Sequence, residues 1–337
     1  MLGKNQLEVL AERDGHRFFT GKKGARVEFG PMRFDFNNLG YRSTNPEILP
    51  KDTDVFRVAC FGDSVTFGQY ERDYYDTWPG AIERALHACD TTKKVEVLNF
   101  GMAHYTHTTN LVNLALIGTY VQPDIVIFLI GPNDFMCLYT RDYAPDGSHD
   151  GKWLLPIADA VWGFHPIASI LNRSRVCALI YGYASKGILL LDEMKLFNLH
   201  PSDETFMRHL EIMERHLASI CDVAKGLGAV PVLCTYVYNE AALLNIRGEQ
   251  FPPVLKGIDE SVRRVASREG AVVVEANDRM KSHADYFRDD FHLTAIGGKV
   301  FAGIIIDVLK QQGLLPLDPD VEGAEPRGSE RGSSQSE

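Results

Sequence analysis

The stretch that most constrains the fold of this chain is an apolar run that stops at three small and polar residues. Residues 56–61 read FRVACF, and their length and content of β-branched and aromatic residues are typical of a buried strand. The run ends at Gly62-Asp63-Ser64, where glycine and aspartate favour a turn. In open parallel sheets the ligand crevice lies outside the carboxyl ends of the strands. Ser64 is therefore predicted to face a binding site, where its hydroxyl is a candidate nucleophile if a base removes its proton.

Three further strand signals are each followed by small or polar residues. They are residues 95–100 before Gly101, residues 124–130 before Gly131-Pro132-Asn133-Asp134, and residues 272–275, after which the chain reaches Asp289-Asp290-Phe291-His292. An imidazole can accept a serine proton and return it to a leaving group, and a nearby carboxylate can fix its tautomer. His292 and Asp289 are of the residue types that this chemistry requires.

The four blocks Gly-Asp-Ser, Asn-x-Gly, Gly-x-Asn-Asp and Asp-x-x-His, in this order, resemble the SGNH hydrolase family, also called GDSL hydrolases. Each block alone arises often by chance, and the four in register make the resemblance specific. The resemblance implies that Ser64 is the nucleophile, His292 the base and Asp289 the carboxylate that orients the imidazole. It further implies an oxyanion hole made by the backbone N–H groups of Ser64 and Gly101 and the side-chain amide of Asn133.

The sequence departs from the family pattern at two places. Where many relatives have a second glycine, in Asn-x-Gly-x-x-Gly, this chain has His104, which can alter the shape of the pocket mouth. The acid before His292 is doubled, so that Asp290 is an alternative to Asp289, although the family spacing favours Asp289. The Gly-x-Ser-x-Gly elbow of α/β-hydrolases is not matched around Ser64, which points away from that lipase fold.

Strands alternate with helices along the chain, which predicts a three-layer α/β/α fold with a mainly parallel five-stranded sheet. The resemblance implies the flavodoxin-like strand order 2-1-3-4-5, with Ser64 at the switch point between strands one and three. We expect an N-terminal arm or hairpin over residues 1–50, packed on a hydrolase domain over residues 51–313. Residues 135–200 interrupt the alternation and are expected to form an insertion, either a lid that sets specificity or an oligomer contact. Residues 314–337 are expected to form a disordered tail.

Composition and charge exclude several classes of function. A formal net charge of −10 argues against nucleic acid as a main partner, since phosphate binding needs a basic face. No secretory signal is visible, and no apolar run approaches the ~20 residues that span a bilayer. The six cysteines show no close pairing and are expected to be free thiols of a cytoplasmic protein. His104 and His107 have a metal-like spacing without nearby carboxylate or thiolate ligands, so we expect no metal, and the family implies no organic cofactor.

The function we expect is that of a serine hydrolase that removes a small acyl group, with acetyl as the first candidate, from a carbohydrate or other metabolite. An acyltransferase would use the same residues, because the two activities differ in whether the pocket excludes water. A non-catalytic binding or scaffolding protein is the alternative of another class, and the complete set of five site residues counts against it. The sequence is compatible with a homo-oligomer. Four aromatic residues after Ser64 can line a sugar-binding face or pack on the next element: Tyr70, Tyr74, Tyr75 and Trp78.

Overall fold

The structure is a computed structural model of the 337-residue chain, and it describes residues 9–48, 50–136 and 203–318. The expected insertion over residues 135–200 lies outside the described residues except for its first two positions. The expected disordered tail lies outside them from residue 319 onward. Before that point the chain still contacts the domain, since the N–H of Thr92 donates to the carbonyl of Pro316 at 2.8 Å.

The N-terminal residues form two antiparallel hairpins, each of two strands. Strand β1 (Ala11–Asp14) pairs with β2 (Phe18–Gly21), and β3 (Arg26–Phe29) pairs with β4 (Met32–Asp35). Phe19, Phe34 and Phe36 are buried in a small apolar cluster that also includes Phe67 and Tyr105. The hairpins therefore pack on the chain segments that follow the proposed nucleophile and the second motif.

A five-stranded parallel sheet forms the centre of the molecule. Its strands are β5 (Val55–Gly62), β6 (Lys94–Asn99), β7 (Ile125–Leu129), β8 (Val230–Cys234) and β9 (Val272–Val274). The order across the sheet is β6-β5-β7-β8-β9, and every neighbouring pair is parallel. The predicted order 2-1-3-4-5 is confirmed, and this sheet is entirely parallel.

Helices flank the sheet and complete the α/β/α arrangement. They are α1 (Ser64–Phe67), α2 (Trp78–His87), α3 (His107–Val121), α4 (Pro132–Met136), α5 (Asp203–Gly226), α6 (Glu240–Arg247), α7 (Phe251–Glu269), α8 (Asn277–Met280) and α9 (Ala295–Gln311). Helix α2 packs on α9, whereas α5 packs on both α3 and α7. Thr77 caps α2 and Thr294 caps α9, each through its hydroxyl oxygen, which satisfies an N–H that the first helical turn leaves without a partner.

The sheet is apolar on both faces because helices cover both faces. All five residues of β7 are buried, and Phe61 of β5 stacks on Phe100 and Phe128 with ring centroids 5.0 and 4.9 Å apart. Cys60 and Cys234 are buried free thiols within this sheet. Among the described residues, no helix has both the length and the apolar character needed to cross a membrane. The parallel topology brings the carboxyl ends of β5, β6 and β7 to one edge, where the polar motifs follow the strands.

Candidate active site

Ser64 occupies the first position of α1, directly after the end of β5. The carboxylate of Asp63 accepts a hydrogen bond from the N–H of Val65 at 2.9 Å and so caps the helix. A side chain at Gly62 would lie 2.1 Å from the hydroxyl of Thr66 and 2.8 Å from the carbonyl of Leu129. The tight strand-to-helix turn therefore requires glycine at 62, and it presents the Ser64 hydroxyl at the edge of the sheet.

Three predicted site residues form one hydrogen-bonded path. Ser64 Oγ lies 2.9 Å from Nε2 of His292, and Nδ1 of the same ring lies 2.7 Å from Oδ2 of Asp289. The other oxygen of Asp289 accepts the N–H groups of Phe291 and His292 at 2.9 and 2.7 Å. An ionised Asp289 accepts the Nδ1–H, and Nε2 then presents its lone pair to the Ser64 hydroxyl.

The environment of Asp289 favours its ionised form. Burial raises the pKa of this carboxyl, but the hydrogen bond and charge of His292 and the two backbone N–H groups outweigh burial and lower the pKa to about 2. Asp289 is thus a carboxylate at neutral pH. A fixed negative charge at this position stabilises an imidazolium when His292 takes a proton.

The neighbouring acid, Asp290, faces a different partner. Its side chain accepts a hydrogen bond from Nε of Arg247, and its carbonyl accepts the N–H of Asn239 at 2.9 Å. The structure thus places Asp289, and not the alternative Asp290, against the imidazole of His292.

Asn133 follows β7 at the same edge of the sheet, as the third motif predicts. Its Nδ2 donates to the carbonyl of Tyr105 at 3.3 Å, which orients the amide. The next residue, Asp134, is buried and accepts the N–H and the ring Nδ1–H of His107 as well as the N–H of Gly131. The contact between His107 and Asp134 anchors α4, the short helix that carries Asn133. No sequence signal connects residues 27 positions apart in this way, so sequence reasoning missed this support.

Gly101, a predicted oxyanion donor, packs against α1 and directs its N–H to a side chain of the protein. Its N–H donates to Oδ1 of Asn99 at 3.0 Å, and Nδ2 of Asn99 donates to the carbonyl of Thr66 at 2.7 Å. A Cβ at Gly101 would lie 2.5 Å from the backbone nitrogen of Phe67 and 2.6 Å from Cβ of Thr66. The glycine is required by close packing against α1, and its N–H is already used inside the protein.

His104, the residue in place of a second family glycine, has an unusual backbone. Its φ is 66°, a left-handed conformation that costs a residue with a side chain about 1–2 kcal/mol. Its backbone N–H has no hydrogen-bond partner among the described residues. Burial, with a smaller contribution from the charge of His292, lowers the pKa of its imidazole to about 4, so the ring is neutral at pH 7. The sequence identified the departure but carried no signal for this conformation.

A cleft of about 340 Å³ connects these groups. We call it the active-site cleft; among the residues that line it are Ser64, His104, Asn133, Ile246, Arg247 and His292. Tyr70 packs edge-on against the His292 ring, with centroids 4.8 Å apart. Tyr74 and Trp78 are buried, so these two aromatic residues pack in the core and do not form a sugar-binding face.

Comparisons with known proteins give one family match and several distant structural similarities. A family model described as the GDSL-like lipase/acylhydrolase family matches residues 60–300. Comparison with curated proteins found no match. One similar solved structure is that of LAE5, an alpha/beta hydrolase enzyme from the metagenome of Lake Arreo, Spain. It is 16% identical with TM-score 0.48, and the match covers 76% of this chain and 95% of that chain.

Two further solved structures have comparable scores. An acetyl xylan esterase, AlAXEase, is 13% identical with TM-score 0.47, and the match covers 75% of this chain and all of that one (100%). The lipase/acylhydrolase from Enterococcus faecalis is 15% identical with TM-score 0.46, and the match covers 78% of this chain and 98% of that chain. None of these similarities assigns a substrate to the present chain.

Proposed function

Because the chain belongs to the GDSL-like lipase/acylhydrolase family, we propose that it is a serine ester hydrolase whose nucleophile is Ser64. The observation that carries this proposal is the path from Ser64 through His292 to Asp289, with distances of 2.9 and 2.7 Å. A serine hydroxyl becomes a nucleophile only when a base lies within hydrogen-bond reach and is itself oriented by a third group. These two distances meet that requirement.

The proposed reaction proceeds through an acyl-enzyme. As Ser64 Oγ attacks the ester carbonyl, its proton passes to Nε2 of His292, and Asp289 stabilises the imidazolium. The same proton then moves to the leaving alcohol as the ester C–O bond breaks, which leaves the acyl group on Ser64. In the second half, His292 takes a proton from water, the hydroxide attacks the acyl carbonyl, and Ser64 regains its proton as the carboxylic acid leaves.

The oxyanion of each tetrahedral intermediate needs hydrogen-bond donors beside Ser64. We assign this role to the backbone N–H of Ser64, the side-chain amide of Asn133 and the backbone N–H of His104. His104 replaces Gly101 in the assignment because the Gly101 N–H donates to Asn99, whereas His104 lines the active-site cleft. One such donor typically contributes about 2.7–4 kcal/mol to transition-state stabilisation.

We propose small acyl esters as substrates, with an acetyl ester of a carbohydrate or another polar metabolite as the first choice. The active-site cleft has a volume of about 340 Å³, near the lower end of the ~300–1,000 Å³ typical of ligand pockets. Such a volume accommodates a small acyl group with part of a polar alcohol.

A fluorophosphonate probe tests the nucleophile directly. We expect wild-type protein to be labelled and a Ser64→Ala variant to remain unlabelled, with kcat for ester hydrolysis lowered by roughly 10⁴- to 10⁶-fold. Equal labelling of the two proteins, or no labelling of wild type, would refute the enzyme assignment and favour a non-catalytic protein.

A panel of acetyl, butyryl and longer esters, with acetylated sugars, gives the acyl length. Adding acceptor alcohols to the same assays shows whether water or an alcohol receives the acyl group.

A further inference from the structure

The loop 289–292, which we call the catalytic loop, holds two different groups at the active-site cleft. Asp289 and His292 belong to the hydrogen-bonded path described above, whereas Asp290 and Phe291 contact Arg247, the last residue of α6. Arg247 lines the same cleft as Ser64 and His292. The guanidinium of Arg247 therefore contacts the catalytic loop, which carries the proposed base His292.

Arg247 is held on one edge and on one face. Its Nε donates to the carboxylate of Asp290, which is only 6% exposed, and its Cζ lies 4.8 Å from the ring centroid of Phe291. A guanidinium over an aromatic face gains cation–π attraction, and the carboxylate prevents rotation. The orientation of the guanidinium is thus set before any substrate binds.

The other edge of the guanidinium remains available. The Arg247 side chain is 23% exposed. Among the described residues, Nε is the one nitrogen of this side chain with a hydrogen-bond partner. The two terminal nitrogens carry N–H groups in a planar fork, the geometry that binds a carboxylate through two parallel hydrogen bonds.

The charges around the cleft give this arrangement a consequence for substrate choice. Among the described residues that line the active-site cleft, Arg247 is the sole lysine or arginine, and Asp289 and Asp290 carry the opposite charge. An anionic substrate would be repelled by these two carboxylates unless a cation compensated them. Arg247 offsets one of these two negative charges, and it is the cation of the described lining to which a substrate anion can bind.

We propose that Arg247 binds a carboxylate of the substrate, so that the ester hydrolysed belongs to an acidic molecule. The inference rests on the proposed esterase function and narrows its substrate class. The carboxylate belongs either to the alcohol portion, as in an acetylated sugar acid, or to the acyl portion, as in a half-ester of a dicarboxylic acid. The common requirement is a carboxylate close to the scissile ester.

A purely structural role for Arg247 makes a different prediction. If the side chain only tied α6 to the catalytic loop, its loss would disturb His292 and slow all esters to the same extent. The informative quantity is therefore the ratio of kcat/KM for an acidic ester to that for its neutral analogue, and not the activity towards either one.

The experiment uses two matched substrate pairs. Monomethyl succinate is compared with methyl levulinate for the acyl side, and acetylated glucuronate with glucose acetylated at the same hydroxyl for the alcohol side. We expect wild type to prefer the acidic member of one pair. Arg247→Met should lower that preference by about 10- to 100-fold, the usual value of hydrogen bonds to a charged group, mainly through KM.

Two further variants isolate the direct contact. Arg247→Met/Asp290→Asn removes both members of the pair, so that no buried carboxylate is left unpaired; its preference should stay below that of wild type. Arg264→Met is the control for a lost surface charge, because Arg264 pairs with Glu214 at 2.6 Å on the exposed side of α7. It should keep the wild-type preference.

Three outcomes would overturn the inference: an unchanged ratio in Arg247→Met, an equal fall in Arg264→Met, or a double variant whose ratio returns to the wild-type value. Calorimetric binding of the same acidic esters to a Ser64→Ala protein, with and without Arg247→Met, requires no turnover. If wild type hydrolyses none of the esters, the proposed function fails. The binding comparison still decides whether Arg247 contacts the carboxylate.

Discussion

The catalytic loop shows how adjacent side chains acquire different chemical surroundings. Asp289 accepts three hydrogen bonds from within the loop, including the Nδ1–H of His292, whereas Asp290 turns to Arg247. The pKa of Asp289 is lowered to about 2 because the partially buried carboxylate is satisfied by these donors. Ionisation of Asp289 is what keeps the imidazole in the tautomer that can accept a proton from Ser64.

The two aspartates should respond differently to the same substitution. Asp289→Asn keeps the size of the side chain but loses its charge, and we expect kcat for ester hydrolysis to fall by about 10⁴-fold, as for a triad with the wrong tautomer. Asp290→Asn should change kcat for a neutral ester by less than about tenfold, since Asp290 contacts Arg247 and not His292. Steady-state kinetics on one neutral ester measures both effects. The reverse order of the two losses would contradict the assignment of Asp289.

At the scale of secondary structure, side chains at the strand ends position the loops that carry the site. Asn99, the last residue of β6, joins the N–H of Gly101 to the carbonyl of Thr66 in α1. In a similar way the buried Asp134 connects the short helix α4, which follows β7, to the N-terminus of α3 through His107. The orientation of Ser64 and Asn133 therefore depends on contacts between elements that are distant in sequence.

Gly101→Ala tests whether this glycine serves packing. The added Cβ would meet the backbone of α1 at 2.5 Å, so we expect the free energy of unfolding to fall by about 1–3 kcal/mol and kcat to fall with it, as α1 moves. Gly303→Ala is the matched control, because Gly303 lies inside α9 with open space around its Cβ position. The free energy of unfolding of this control should rise by about 0.5–1 kcal/mol. Denaturant unfolding measures both, and wild-type stability of Gly101→Ala would refute the packing role.

At the scale of the whole molecule, the N-terminal hairpins form part of the surroundings of the proposed nucleophile. Arg42 is fully buried and donates to the carbonyls of Phe67 and Gly68 at the end of α1, to that of Glu71 at 2.9 Å, and to that of Arg33 in β4 at 3.0 Å. Burial lowers the pKa of Arg42 to about 10 and leaves it charged at neutral pH. One buried cation thus connects the β3–β4 hairpin to the segment after Ser64.

Buried carboxyls should also shape the pH dependence of stability. Asp259 of α7 is 5% exposed, and burial raises its pKa from 3.8 to about 7. The folded state therefore binds a proton that the unfolded state has lost, and this group makes the protein progressively less stable as pH rises from about 4 to 7. Asp259→Asn removes that dependence and still accepts the N–H of Tyr236 through its amide oxygen.

As pH rises from 4 to 8, we expect the free energy of unfolding of Asp259→Asn to increase by about 2–4 kcal/mol relative to that of wild type. Denaturant unfolding at each pH measures this difference. Asp289→Asn is the control of opposite sign. Its wild-type carboxyl has a lowered pKa and contributes stability above pH 4, so that variant should be less stable than wild type at pH 7, with the difference disappearing near pH 2. A pH-independent difference for Asp259→Asn would contradict the raised pKa.

Much of the fold and of the site composition could be predicted because its signals are local. The run 56–61 followed by glycine, aspartate and serine specifies a buried strand and a turn within nine residues, and the later strand signals repeat this pattern. Since parallel strands end at one edge, the motifs after β5, β6 and β7 were expected to meet there, and the five strands have the predicted order. The connection of His107 to Asp134 could not be predicted, because two residues far apart in sequence carry no sign of their contact.

The sequence by itself therefore determined the α/β architecture and the edge of the sheet at which its polar motifs lie, because hydrophobic periodicity and turn residues act over a few positions. The tertiary structure decided which aspartate faces His292, that the N–H of Gly101 is already used by Asn99, and that His104 adopts a left-handed backbone at the cleft. It also decided that Arg247 lies beside the catalytic loop. Each of these depends on distances between separate elements, and such distances arise only when the packed core fixes the elements relative to one another.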